Sequence, residues 1–154
     1  MSQSLSQLWI HVVFSTKDRY PFLESLPFRQ RLYDYIQGIC TQLKCPVSAI
    51  GGVADHAHLL ILLDKNISIS KLIEEIKKSS SKWIKKQSPF NSDLSKFYWQ
   101  NGYGAFSVSQ TNLEAVKIYI LNQIEHHKKM NFQDELRIML KKCGITYNEE
   151  YLWN

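Results

Sequence analysis

Residues 55–63, Asp-His-Ala-His-Leu-Leu-Ile-Leu-Leu, decide how this chain is read. Every position after His58 in that run is apolar, the pattern of a strand buried on both faces, so the run predicts a central β-strand with its histidines at the wetter end. Side chains alternate along a strand, which puts His56 and His58 on one face with Cα atoms roughly 6.5 to 7 Å apart. Leu60 and Leu62 continue that face, and Ala57, Leu59, Ile61 and Leu63 form the other. Two imidazoles so placed can share one metal ion. A His-x-His pair can equally end a strand with one ring hydrogen-bonded and the other solvated, so spacing alone leaves both readings open.

Upstream, residues 47–50 after Pro46 read as a strand, and Gly51 to Asp55 supply the turn that would make an antiparallel hairpin with the histidine strand. Residues 8–14, Leu-Trp-Ile-His-Val-Val-Phe, are rich in β-branched and aromatic side chains and predict a first strand, in which His11 reads as structural. Between these lies a helix whose apolar stripe is Phe28, Leu32, Tyr35, Ile36, Ile39 and Leu43, with Ser25 as N-cap and Pro27 in its first turn. Downstream, a second helix is expected over residues 68–87, with Ile69, Leu72, Ile73, Ile76 and Trp83 inward. The aromatic segment 97–109 alternates in its second half as a fourth strand. Thr111 and Glu114 predict a capping box at the start of a third helix running to about Lys129, and a last helix near residues 132–143 ends at Gly144. The order β-α-β-β-α-β predicts an α+β, ferredoxin-like fold: an antiparallel sheet with two helices on one face, followed by two further helices.

With 154 residues, 44% of them hydrophobic, the chain reads as a single domain over residues 1–154. A net charge of +5 suggests a polyanionic partner. Three cysteines, Cys40, Cys45 and Cys143, with no Cys-x-x-Cys pair, argue against a disulfide framework and a structural zinc site. Neither a signal peptide nor a run near the ~20 apolar residues of a membrane span is visible, so a cytoplasmic protein without membrane contact is expected.

In the third helix, Tyr119, Gln123 and His126 fall on one face and His127 borders it. Such a polar stripe suits a helix covering a reactive site, and also any half-exposed helix. Lys77, Lys78, Lys82, Lys85 and Lys86 crowd the end of the second helix and are candidates for DNA phosphate contact. Tyr98, Trp99, Tyr103 and Phe106 suit either core packing or stacking on unpaired bases.

Taken together, these residues resemble the single-tyrosine HUH transposases of simple insertion sequences and of repetitive extragenic palindromes. Residues 55–60 are similar to the HUH motif, with Ala57 smaller than the usual hydrophobe between the histidines. Residues 119–127, Tyr-Ile-Leu-Asn-Gln-Ile-Glu-His-His, are similar to the nucleophile helix, and the likeness extends to residues 11–17, 99–108 and 143–153. The resemblance implies cleavage and rejoining of single-stranded DNA through a 5′-phosphotyrosine on Tyr119. It also implies Mg2+ or Mn2+ held by His56, His58 and Gln123; beside these, His126 and His127 read as candidate accessory groups that position DNA or a water. Hairpins at element ends would be the substrate, and a homodimer would share its active sites by exchanging tyrosine helices. Imidazole ligands sit uneasily with magnesium, which prefers oxygen. Two other functions fit parts of the pattern: a non-enzymatic RRM-like module binding single-stranded nucleic acid, and a metal-dependent nuclease that uses water.

Overall fold

The computed structural model describes residues 2–154. Four strands form one antiparallel sheet: β1 (Leu8–Ser15), β2 (Val47–Val53), β3 (His56–Leu63) and β4 (Gly104–Val108), in spatial order β2-β3-β1-β4. Helices α1 (Leu26–Gln42) and α2 (Ile69–Lys85) follow β1 and β3, so the β-α-β-β-α-β order and the ferredoxin-like architecture expected from the sequence are those of the molecule. The apolar run after His58 is central because β3 is paired on both sides.

Helices α1 and α2 cover one face of the sheet. Ile10, Val12 and Phe14 of β1 and Ala57, Leu59 and Ile61 of β3 meet Leu32, Ile36, Leu72, Ile73, Ile76 and Ile84 there. Burying each large aliphatic side chain contributes about 1.5–3 kcal/mol. Ser25 caps α1, as its sequence predicts, by accepting from the Phe28 amide, and Ser68 caps α2 by accepting from Lys71. The buried stripe of α1 departs from expectation: it includes Arg29, Tyr33 and Cys40, whereas Tyr35 is 38% exposed and stacks on Trp83. Arg29 is tolerated inside because its guanidinium donates to the carbonyls of Leu23 and Glu24.

The β2–β3 hairpin is tighter than residues 51–55 suggest. Gly51 and Gly52 lie within β2, opposite His58 and Ala57, and only Ala54 and Asp55 turn the chain. Both glycines are needed for close approach: a Cβ at Gly51 would stand 2.2 Å from the Ile120 carbonyl oxygen, and one at Gly52 2.2 Å from that of His56.

Helices α3 (Leu113–Leu121), α4 (Gln123–His126) and α5 (Phe132–Lys142) cover the other sheet face, and a short α6 (Glu149–Leu152) follows. The expected capping box is absent. Thr111 lies in a 3-10 turn, Gln110–Asn112, and its hydroxyl pairs with Ser109 instead of an α3 amide. Nor is the third helix continuous to Lys129. Asn122, at φ −101 and ψ 21, breaks it between Leu121 and Gln123. Val13 and Phe106 pack on Phe132, Leu136 and Leu140 of α5, and Leu60 packs on Ile120 of α3. Among the described residues no helix is long and apolar enough to cross a membrane.

Candidate metal and nucleophile site

His56 and His58 leave β3 on the face turned away from α1 and α2, and α3 to α5 close over them until both are fully buried. Their Nδ1 atoms are already engaged. His56 Nδ1 lies 2.6 Å from Asp55 Oδ1, and His58 Nδ1 lies 2.9 Å from His11 Nε2. The second contact is a diagonal across the β1–β3 pairing, in which His11 stands opposite Leu60 and Val13 opposite His58. Both Nε2 atoms consequently face inward, the arrangement by which outer partners orient imidazole ligands. His11 and Asp55, read from sequence as structural and as a turn residue, are these orienting partners.

The group that the Nε2 atoms face is Glu135 of α5, 2% exposed at its side chain. Its Oε1 is 2.8 Å from His58 Nε2 and 3.4 Å from His56 Nε2. Its Oε2 lies 3.1 Å from His126 Nε2 and 3.2 Å from His127 Nε2, and accepts a short hydrogen bond from the Tyr119 hydroxyl. Nothing in the sequence marks this residue, because one glutamate in an amphipathic helix carries no signal. Its position one residue before Leu136, on the flank of the stripe Phe132, Leu136 and Leu140, is the only trace, and reading it needs the docking of α5.

Tyr119 is half-buried, with its ring centroid 5.8 Å from that of His58 and 6.1 Å from that of His11. Gln123 is 1% exposed and places Oε1 3.4 Å from His56 Nε2 while its amide nitrogen donates to the Tyr119 carbonyl at 3.3 Å. Tyr119, Gln123 and His127 thus meet His56 and His58, as their sequence pattern suggested, and His126 joins them through Glu135.

Electrostatics follow from burial among so many polar groups. Loss of water pushes His11 down to about 3 and His58 down to about 4, so both are neutral at pH 7. Burial also opposes charge on His56, but its contacts with Asp55 and Glu135 outweigh this and raise its pKa. Glu135 is held well below the usual carboxylate range: burial works against ionisation, and the contacts with His127, His56 and His58 overcome it. The Tyr119 phenol is raised by burial first and by the carboxylate it donates to second.

The donor set fits a divalent cation. His127 Nδ1 donates to the Met130 carbonyl at 2.7 Å, leaving Nε2 buried with no hydrogen-bond partner. One ligand atom each from His56, His58, His127 and Glu135 lies within 4.8 Å of the others. Imidazole nitrogens and a carboxylate around one point are what a metal ion satisfies.

The lysines are not part of this site. Lys77, Lys78, Lys82 and Lys85 lie on α2 and Lys86 is its C-cap, behind the sheet. Lys77 is committed internally, donating to the carbonyls of Gln100 and Gly102, and burial lowers its pKa to about 8. Lys85 sits 4.1 Å over the Tyr98 ring, while Lys78, Lys82 and Lys86 are exposed. Of the aromatics weighed for base stacking, Trp99 and Phe106 are buried and Tyr98 and Tyr103 exposed.

A sequence model described as "Transposase IS200 like" matches residues 4–123. Two solved structures share the fold. One is a candidate transposase from Deinococcus radiodurans R1, with 23% identity over 80% of this chain and 98% of that one, at a TM-score of 0.62. The other is a REP-associated tyrosine transposase bound to a REP hairpin, with 19% identity over 82% of this chain and 74% of that one, at a TM-score of 0.56. Among curated proteins none matches the chain.

Proposed function

The chain belongs to the family of IS200-like transposases, and from that premise we propose that it cuts and rejoins single-stranded DNA through a covalent 5′-phosphotyrosine. In this reading Tyr119 is the nucleophile, and His56, His58 and Gln123 hold a Mg2+ or Mn2+ ion. The observation that carries it is the convergence, within one chain, of the Tyr119 hydroxyl and the His58 Nε2 atom on a single buried carboxylate.

The phenol oxygen of Tyr119 forms a bond to phosphorus, and the bond from phosphorus to the 3′ oxygen breaks. That oxygen takes a proton from water and leaves as a 3′-hydroxyl. A phenol of ordinary pKa near 10 is protonated at pH 7, and this one more firmly, so its proton must be removed. His126, whose Nε2 stands 3.4 Å from the phenol oxygen and whose side chain is 29% exposed, passes it to solvent. His127 anchors the chain beyond α4 through Met130. The cation, when bound, supplies positive charge opposite the non-bridging phosphate oxygens. One phosphodiester replaces another, so rejoining to a second 3′-hydroxyl consumes no nucleotide.

Several finer features belong to the same reading. A hairpin substrate is supported by the fold shared with the hairpin-bound transposase. Lys78, Lys82, Lys85 and Lys86 contact the DNA backbone, and Lys77 is left out because its ammonium already holds the 100–102 segment. Residues 1–154 act as one domain. A homodimer remains compatible, although exchange of tyrosine helices is unnecessary when the phenol already lies beside its own chain's histidines.

Incubation with a single-stranded DNA hairpin and Mn2+ is expected to give a denaturant-resistant protein–DNA adduct that Tyr119→Phe abolishes. Cleaved ends without an adduct, unaffected by that substitution, would overturn the reading in favour of a water-using nuclease. Binding without cleavage would overturn it in favour of an RRM-like module.

A further inference from the structure

His127 and Glu135 both lie beyond residues 4–123, the segment that matches the family. They nevertheless point into the same space as the strand histidines. We infer that they complete the ligand set of the cation beside His56 and His58, giving three imidazoles and one carboxylate, and that this set selects Mn2+ over Mg2+. The inference rests on the metal site proposed above and adds ligands to it.

Three observations carry it. First, the four ligand atoms share one locus, within 4.8 Å of each other. Second, His127 is prepared as a ligand. Its Nδ1 proton is fixed on the Met130 carbonyl, which leaves the lone pair on a buried Nε2 that makes no hydrogen bond and faces Glu135 Oε2 at 3.2 Å, an oxygen with no proton to offer it. A buried ring nitrogen in that condition is costly unless something occupies it.

Third, Glu135 has no structural reason to be inside. It interrupts the layer that α5 packs on Val13 and Phe106, where an apolar side chain would serve. Its two oxygens divide the work. Oε1 faces the Nε2 atoms of His56 and His58, while Oε2 accepts from the Tyr119 hydroxyl. The same side chain can thus bind the ion and hold the nucleophile at a fixed distance from it.

The metal preference follows from the chemistry of the donors. Magnesium favours oxygen and keeps its waters, whereas manganese accepts imidazole together with carboxylate. Gln123 Oε1 remains close enough to serve as a further oxygen donor.

Titration calorimetry with MnCl2 and with MgCl2 alone tests this on the full chain and on Glu135→Gln, His127→Phe and His56→Ala, each checked for folding by circular dichroism. Loss of a mere orienting partner already weakens metal binding about 10- to 100-fold, so each of the first two substitutions is expected to weaken Mn2+ at least tenfold. The unsubstituted chain should bind Mn2+ more tightly than Mg2+. Should His56→Ala lose Mn2+ while Glu135→Gln and His127→Phe keep it, the added ligands are wrong and the two-histidine site stands. Should His56→Ala also retain it, the metal site itself is wrong. Pulsed electron paramagnetic resonance of Mn2+ on the unsubstituted chain needs no variant to fold. Nitrogen couplings from three imidazoles support the inference, and couplings from two or fewer overturn it.

Discussion

Under α1 and α2, strand β3 presents Ala57, Leu59 and Ile61 to a layer of aliphatic and aromatic side chains. Under α3 to α5 the same strand presents His56, His58 and Leu60. Both faces exclude water equally: Leu59 and His58 are each 0% exposed. On the first face burial stabilises directly, and its few polar groups are locally satisfied, as where the Trp99 indole donates to Ser80 and Ser80 to the Ile76 carbonyl. On the second face burial removes hydration from three imidazoles of β1 and β3, a glutamine and a glutamate, and the groups must satisfy one another. One side of the sheet is therefore organised for stability and the other for chemistry, separated by the thickness of a strand.

Substitutions should separate these roles. Tyr119→Phe removes a hydroxyl and keeps the ring, so we expect adduct formation to fall below detection while unfolding stability falls by no more than the one lost hydrogen bond to a carboxylate, about 1.5–3 kcal/mol. A large unfolding effect would show that the chemical face also carries stability. Leu59→Ala should do the converse, costing about 2–5 kcal/mol in urea unfolding with Mn2+ affinity unchanged per folded molecule. Altered Mn2+ binding would mean that the two faces are coupled through β3.

Gly51→Ala probes the seam between them. The new Cβ collides with the Ile120 carbonyl, one residue from Tyr119. Displacing α3 should cost about 1–3 kcal/mol and slow adduct formation on the order of tenfold to a hundredfold, since a shift of about 1 Å is enough to misplace a nucleophile. An unchanged rate would show that α3 yields without moving the phenol. The smallest effect is expected behind the sheet. Lys82→Ala should lower the slope of log affinity against log salt by about 0.7 for one lost phosphate contact on a single strand, and Lys77→Ala should leave that slope unchanged. Filter binding at several salt concentrations distinguishes them.

Most of the fold was legible because its signals are local. The alternation and apolarity of β3, the β-branched run of β1, and the cap at Ser25 act over a few residues each. Where a local signal had a competitor, it failed. The Thr111–Glu114 pattern gave way to a 3-10 turn, and the long third helix to a break at Asn122. Of the site, the two strand histidines, the tyrosine and the glutamine were legible because alternation in a strand and the turn of a helix put them on shared faces. His11 and Asp55 were visible as residues and not as partners, since their roles depend on contacts across β1 and at the hairpin end.

Sequence alone determined the order of the first six main elements, which residues share a face, and the presence of a histidine pair and a tyrosine helix, because hydrophobic periodicity and backbone geometry operate within a single element. Tertiary structure alone decided that α5 lays Glu135 among five polar side chains, that the tyrosine ring lies beside the strand histidines, and that the lysines lie behind the sheet. Those outcomes depend on how separate elements dock, and docking is set by the summed shape and apolar area of whole surfaces, which no short stretch of the chain encodes.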